Sequence, residues 1–135
     1  RVKLRYLDMW NEMRREHASM YDQYLIDNNV FIPVEKKYAR HVYHLYVIRT
    51  SKRDKLQRWL AKKGIVTGIH YPLPVNCQKA YRDVGYKKGE FPITEKFAKE
   101  ILSIPLFPEL TANQVEYVCQ SITKFENELN EKTGI

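Results

Sequence analysis

The residues best suited to chemistry lie in one stretch, Gly68-Ile69-His70-Tyr71-Pro72-Leu73-Pro74-Val75-Asn76, with Gln78 just beyond it. An imidazole, a phenol and two side-chain amides can all donate and accept hydrogen bonds. With Arg49 they form a recognition set. No serine or cysteine nucleophile stands beside a base, and the carboxylates are scattered rather than paired. No Gly-x-Gly loop, Walker motif or Gly-x-Ser-x-Gly elbow is present. On residue types alone this is a chain that binds rather than one that catalyses. The stretch also reads as a Pro-rich turn whose histidine and tyrosine are merely half-buried.

The elements that must hold these groups can be read from the chain around them. Ile65-Val66-Thr67-Gly68-Ile69 is an apolar run with strand character. Pro72 and Pro74 stop it, because proline cannot donate to a sheet ladder and keeps its predecessor extended. His70 and Tyr71 are therefore expected at a strand end. Upstream, His41 to Arg49 reads as the clearest strand, rich in β-branched and aromatic residues. Alternation puts Val42, His44, Tyr46 and Ile48 on one face and Tyr43, Leu45 and Val47 on the other. That places His44 in the sheet, and it sets His41 and His44 on opposite faces, against a shared metal. Val30 to Val34 and Leu102 to Leu106 read as further extended pieces.

The helices carry clearer signals. Residues 2 to about 26 form a long one, with Leu4, Leu7, Trp10, Ala18, Tyr21 and Leu25 as one stripe. A second stripe, Met9, Met13, His17, Met20 and Tyr24, lies beside it, too wide for a single packing neighbour. Ser51, with Asp54 three residues on, reads as a capping box for a helix that buries Leu56, Trp59 and Leu60 and ends at Gly64. Cys77 to Val84 reads as a short helix stopped by Gly85. Pro92 opens another, with Ile93, Phe97 and Ile101 on one side. Thr111 and Gln114 box the last helix, whose apolar face is Val115, Val118, Cys119, Ile122, Phe125 and Leu129; fraying is expected from Glu131 onward. The order gives an α+β fold: a small antiparallel-type sheet of three to four strands with helices packed on one face.

Composition narrows the classes. Charged residues at 29% and hydrophobic ones at 44% mark a globular chain rather than a disordered one. No apolar run approaches the ~20 residues of a membrane span. Cys77 and Cys119 have no metal-like spacing, no metal site is expected, and two free thiols suit a cytoplasmic protein. The net charge of +7 would attract a polyanion, or belong to a solvated basic face. A basic module for nucleic acid or an acidic partner stays open, although no RNA-binding aromatic signature or zinc-finger spacing accompanies the charge, which makes nucleic acid the weaker of its partners. The first helix has no capping residue ahead of it, so a preceding segment is expected.

The ordered motifs carry a resemblance. His41 to Arg49, Gly64-Ile65, Gly68 to Pro72, Gln78, Ala80-Tyr81, Gly85, Phe91-Pro92 and Leu102 to Pro108 together resemble the C-terminal small domain of the DegT/DnrJ/StrS sugar aminotransferases. Leu7 to Glu12 and Arg15 resemble the helix joining their large domain to the small one. The resemblance implies residues 1–27 as that linking helix and 28–135 as the small domain of a fold type I enzyme. It implies pyridoxal phosphate and its lysine on a large domain outside this chain, so no catalytic or cofactor-binding residue is expected here. It further implies glutamate as amino donor, a nucleotide-linked keto sugar as substrate, and a homodimer. His70 and Tyr71 match the family's His-Tyr-Pro stretch beside the sugar, with Asn76 and Gln78 as further substrate-binding candidates. Asn76 stands where members often carry a second histidine.

Overall fold

A computed structural model describes residues 1–133. Its sheet is smaller than expected. Among the described residues only β1 (Tyr46–Arg49) and β2 (Ile101–Ile104) are paired strands, antiparallel, with Tyr46 opposite Ile104 and Ile48 opposite Leu102. The expected third and fourth strands are each reduced to one bridge, Phe31 to Arg49 on one side and Gly68 to Ser103 on the other. Pro33 stands just beyond the first bridge and the Pro72 loop just beyond the second, and proline takes away the donors that longer pairing needs.

The helices are α1 (Leu7–Leu25), preceded by a 3-10 turn over Lys3–Tyr6, α2 (Arg53–Lys62), α3 (Pro92–Glu100) and α4 (Ala112–Thr133). Pairing puts Tyr46, Ile48, Leu102 and Ile104 on one sheet face. They share a single core with Ala18, Tyr21 and Leu25 of α1, Leu56 and Leu60 of α2, and Val115 to Phe125 of α4. A buried Leu, Ile or Val side chain contributes about 1.5–3 kcal/mol. Three aromatic side chains of this region have their polar ends satisfied: Tyr21 donates to the Pro105 carbonyl (2.8 Å), Tyr46 to Asp22 (2.6 Å) and Trp59 to the Ser121 carbonyl (2.9 Å). Cys119 is buried, and burial pushes its thiol up to about 12, which leaves it unreactive.

Several elements differ from the sequence reading. The run from His41 becomes a strand only at Tyr46. Tyr43 takes φ 46°, in the left-handed region, which breaks the alternation; it is buried while His44, expected in the sheet, is exposed in the bend before β1. Ser51 does not cap α2, whose N-cap position is Lys52 with no side-chain cap bond; the Thr50 hydroxyl accepts from the Lys52 N–H at 3.2 Å just ahead of the helix. Cys77 to Val84 forms two 3-10 pieces, Val75–Cys77 and Lys79–Val84. In α3 the buried residue is Ala98, whereas Ile93 and Phe97 are exposed. The first stripe of α1 is buried only from Ala18 on, and Leu4 is 69% exposed.

Other signals are present as read. Gly64 ends α2 at φ 74°. Thr111 and Gln114 form the reciprocal box, Thr111 N–H to Gln114 Oε1 at 2.9 Å and Gln114 N–H to Thr111 Oγ1 at 3.3 Å. α4 continues to Thr133 where fraying was expected from Glu131; residues 134–135 lie outside the described residues. Among the described residues no helix is long and apolar enough to cross a membrane.

Candidate functional site

The outer face of the sheet carries Val47, Arg49, Ile101 and Ser103. Arg49 lays its guanidinium over Phe97 of α3 (3.7 Å to the ring centroid) and Phe31 (4.8 Å), and faces Glu100 at 3.5 Å. This ties α3 and the Phe31 segment to the end of β1. Arg49 is therefore engaged in packing, while its buried Nε has no hydrogen-bond partner among the described residues.

His70 is mounted at the other edge. Gly68 and Ser103 exchange both backbone hydrogen bonds (2.9 and 2.8 Å), which fixes the chain two residues before the histidine. His70 Nδ1 lies 2.9 Å from the Ser103 hydroxyl. The ring sits where a side chain on residue 68 would be: a Cβ there would come within 2.6 Å of His70 Cε1. Glycine is required for this close approach. The ring meets Tyr71 edge-on at 5.7 Å, and Tyr71 is 72% exposed.

Tyr71 also lines an apolar groove of about 340 Å³ with Leu73, Val75, Thr94, Phe97 and Ile101. A histidine and a phenol beside an apolar hollow suit a ligand with a flat or apolar body and polar edges. Neither a lysine nor a carboxylate lines this groove. Pyridoxal phosphate needs an amine for its Schiff base and charged partners for its ring and phosphate, so the groove by itself does not fit that cofactor.

Asn76 and Gln78 sit further along the loop, both half-buried. The Asn76 amide reaches Glu95 of α3 and the Cys77 sulfur, both at 3.5 Å, while Glu95 accepts the Gly89 N–H at 2.7 Å. The Gln78 carbonyl accepts from the Tyr81 N–H at 3.0 Å. Neither side chain hydrogen-bonds His70 among the described residues. The structure thus joins His70 and Tyr71 to each other and ties Asn76 to α3. Sequence reasoning missed Ser103, which is 33 residues from His70 and reaches it only across the sheet. Among the described residues no group of three or more histidine, cysteine or acidic side chains is gathered for a metal.

The profile of the DegT/DnrJ/EryC1/StrS aminotransferase family matches residues 1–123. A pleiotropic regulatory protein of Geobacillus stearothermophilus is 45% identical, over 92% of this chain and 34% of its own length. A dTDP-3-amino-3,6-dideoxy-alpha-D-galactopyranose transaminase of Aneurinibacillus thermoaerophilus is 36% identical over the same shares, 92% and 34%. The crystal structure of S. venezuelae DesV in complex with a ketimine intermediate superposes with a TM-score of 0.89 at 34% identity, over 93% of this chain and 34% of that one. The chain spans about a third of the length of the curated relatives it matches. It belongs to the DegT/DnrJ/EryC1/StrS aminotransferase family.

Proposed function

We propose that this chain is the C-terminal small domain, residues 28–135 with a linking helix over 1–27, of a pyridoxal-phosphate aminotransferase. The whole enzyme moves an amino group from glutamate to a nucleotide-linked keto sugar, in the cytoplasm, as a homodimer, for amino-sugar or polysaccharide synthesis. The large domain supplies the cofactor and its lysine; this chain alone is inactive. Its contribution is the sugar-binding side, with His70 and Tyr71 touching substrate and Asn76 and Gln78 flanking them.

The observation that carries the reading is the match to a named nucleotide-sugar transaminase over 92% of this chain but only 34% of that protein. The groove beside Tyr71 supports the reading, since it sets a phenol and the Thr94 hydroxyl against an apolar wall. The test is steady-state kinetics of the longer polypeptide with a nucleotide-linked keto sugar and glutamate. His70→Ala should weaken sugar binding by about 1–3 kcal/mol, the cost of leaving a polar partner unmet. Its melting temperature should fall only slightly, by the worth of the single hydrogen bond the exposed ring shares with the Ser103 hydroxyl, ~1 kcal/mol. Unchanged kinetics beside a melting point several degrees lower would make His70 a packing residue and remove it from the site.

A further inference from the structure

The direction of the hydrogen bond between His70 and Ser103 follows from burial. Ser103 is 4% exposed, and its backbone N–H and carbonyl are both engaged by Gly68. Among the described residues its hydroxyl meets one polar atom, His70 Nδ1. A neutral imidazole has one bare nitrogen and one N–H. Were the proton on Nδ1, that N–H would donate to Oγ and leave the hydroxyl hydrogen buried without an acceptor, which is costly. With Nδ1 bare, the hydroxyl donates to it and the buried hydrogen is satisfied.

We infer that Ser103 is a positioning residue: its hydroxyl donates to Nδ1, holds neutral His70 in the Nε2–H form, and so makes the exposed edge of the ring a hydrogen-bond donor. Gly68 completes the device by leaving room for the ring beside the Ser103 hydroxyl. Nε2 carries no hydrogen bond among the described residues. A neutral N–H there selects an acceptor oxygen, such as a sugar carbonyl, hydroxyl or phosphate oxygen. The class of ligand rests on the proposed function; the hydrogen bond within the protein does not.

The test is nitrogen-15 NMR of histidine-labelled protein at a pH where the imidazole is neutral, with the His70 signals identified by their loss in His70→Gln. Nε2 should be protonated, and the Nδ1 resonance should carry the displacement of an accepted hydrogen bond. In Ser103→Ala the Nδ1 resonance should return to its position in the unfolded chain, and Ser103→Thr should restore it. Gly68→Ala, which drives the ring off the hydroxyl, should reproduce the Ser103→Ala spectrum. In the longer enzyme Ser103→Ala should raise KM for the nucleotide sugar roughly two- to tenfold, the worth of one neutral hydrogen bond, with kcat little changed. A proton on Nδ1, or an Nδ1 resonance unmoved by Ser103→Ala, overturns the inference whatever the kinetics. Resonances that behave as expected beside an unchanged KM sustain the role of Ser103 and count instead against the sugar-binding reading.

Discussion

His41 to Leu45 and Tyr46 to Arg49 are two halves of one run with nearly the same strand character, and they fold differently. The second half finds backbone partners on both sides, Ile101–Ile104 and Phe31, and buries Tyr46 and Ile48 completely. The first half finds side chains instead. Glu35 accepts the His41 N–H at 2.7 Å, Arg15 donates to the His41 carbonyl at 2.7 Å, and the Tyr43 N–H donates to His41 Nδ1 at 2.8 Å. Arg15 in turn grips Glu35 through both terminal guanidinium nitrogens, at 2.7 and 3.0 Å. Backbone groups that leave water need some partner. Alternation says which residues suit a strand, but the partner within reach decides whether the strand forms.

The largest expected effect tests the second half. Ile48→Ala removes a fully buried side chain and should cost about 2–5 kcal/mol, the usual range for such truncations. Val42, of the same type in the first half, is 47% exposed. Val42→Ala should stay within about 0.5 kcal/mol. Denaturant titration of both variants measures the contrast directly. Equal costs would mean that the two halves pack alike.

The same contrast explains what could be read in the sequence. Signals confined to a few neighbouring residues were legible: the Thr111–Gln114 box, the left-handed Gly64, Pro92 at the first turn of α3, and the stripe of α4. Signals that depend on distant partners were not. Ser51 looked like a cap, but Thr50, whose N–H is tied to the Glu100 carbonyl, accepts from Lys52 ahead of the helix, and no side chain caps α2. Phe97 was read on one side of its helix with Ile93 and Ile101, and what it meets there, Arg49 on the outer face of the sheet, was not legible. In the candidate site, His70 and Tyr71 stood out because two prolines mark the end of their segment. Ser103 could not, since nothing local links a strand serine to a histidine 33 residues earlier.

An intermediate effect tests the tether of the first half. The Arg15 hydrogen bonds, and after them the His41 N–H, hold the Glu35 carboxyl down to about 2 from an ordinary 4.5. A depressed carboxyl contributes fully above its unfolded value and loses that contribution as pH falls through its folded value. The tether should therefore be intact above about pH 4.5 and released towards pH 2. Because the pair is exposed, global stability should change little and added salt should weaken it. The His41 amide resonance, followed from pH 6 to 2, should show one transition that Glu35→Gln abolishes. A transition centred near the ordinary carboxylate value would mean that Arg15 does not hold Glu35 in solution.

The smallest effect is the sharpest on where the strand begins. Alternation from Tyr46 and Ile48 would carry His44 onto the buried face, and truncating a residue there costs several kcal/mol. In the structure His44 precedes β1, is exposed, and takes part in no hydrogen bond, ion pair or ring contact among the described residues. Tyr43, with φ 46°, is the buried aromatic of this half, packing on His41 at 4.3 Å and Tyr46 at 6.2 Å. His44→Ala should therefore change stability by no more than about 0.5 kcal/mol, and in the longer enzyme it should leave KM for the nucleotide sugar alone, unlike His70→Ala. If His44→Ala instead lowers stability as Ile48→Ala does, the strand begins before Tyr46 and the side-chain tethers of the first half do not end it. A loss of substrate affinity at His44 with unchanged melting would move the site from the His70 edge of the sheet to the opposite one.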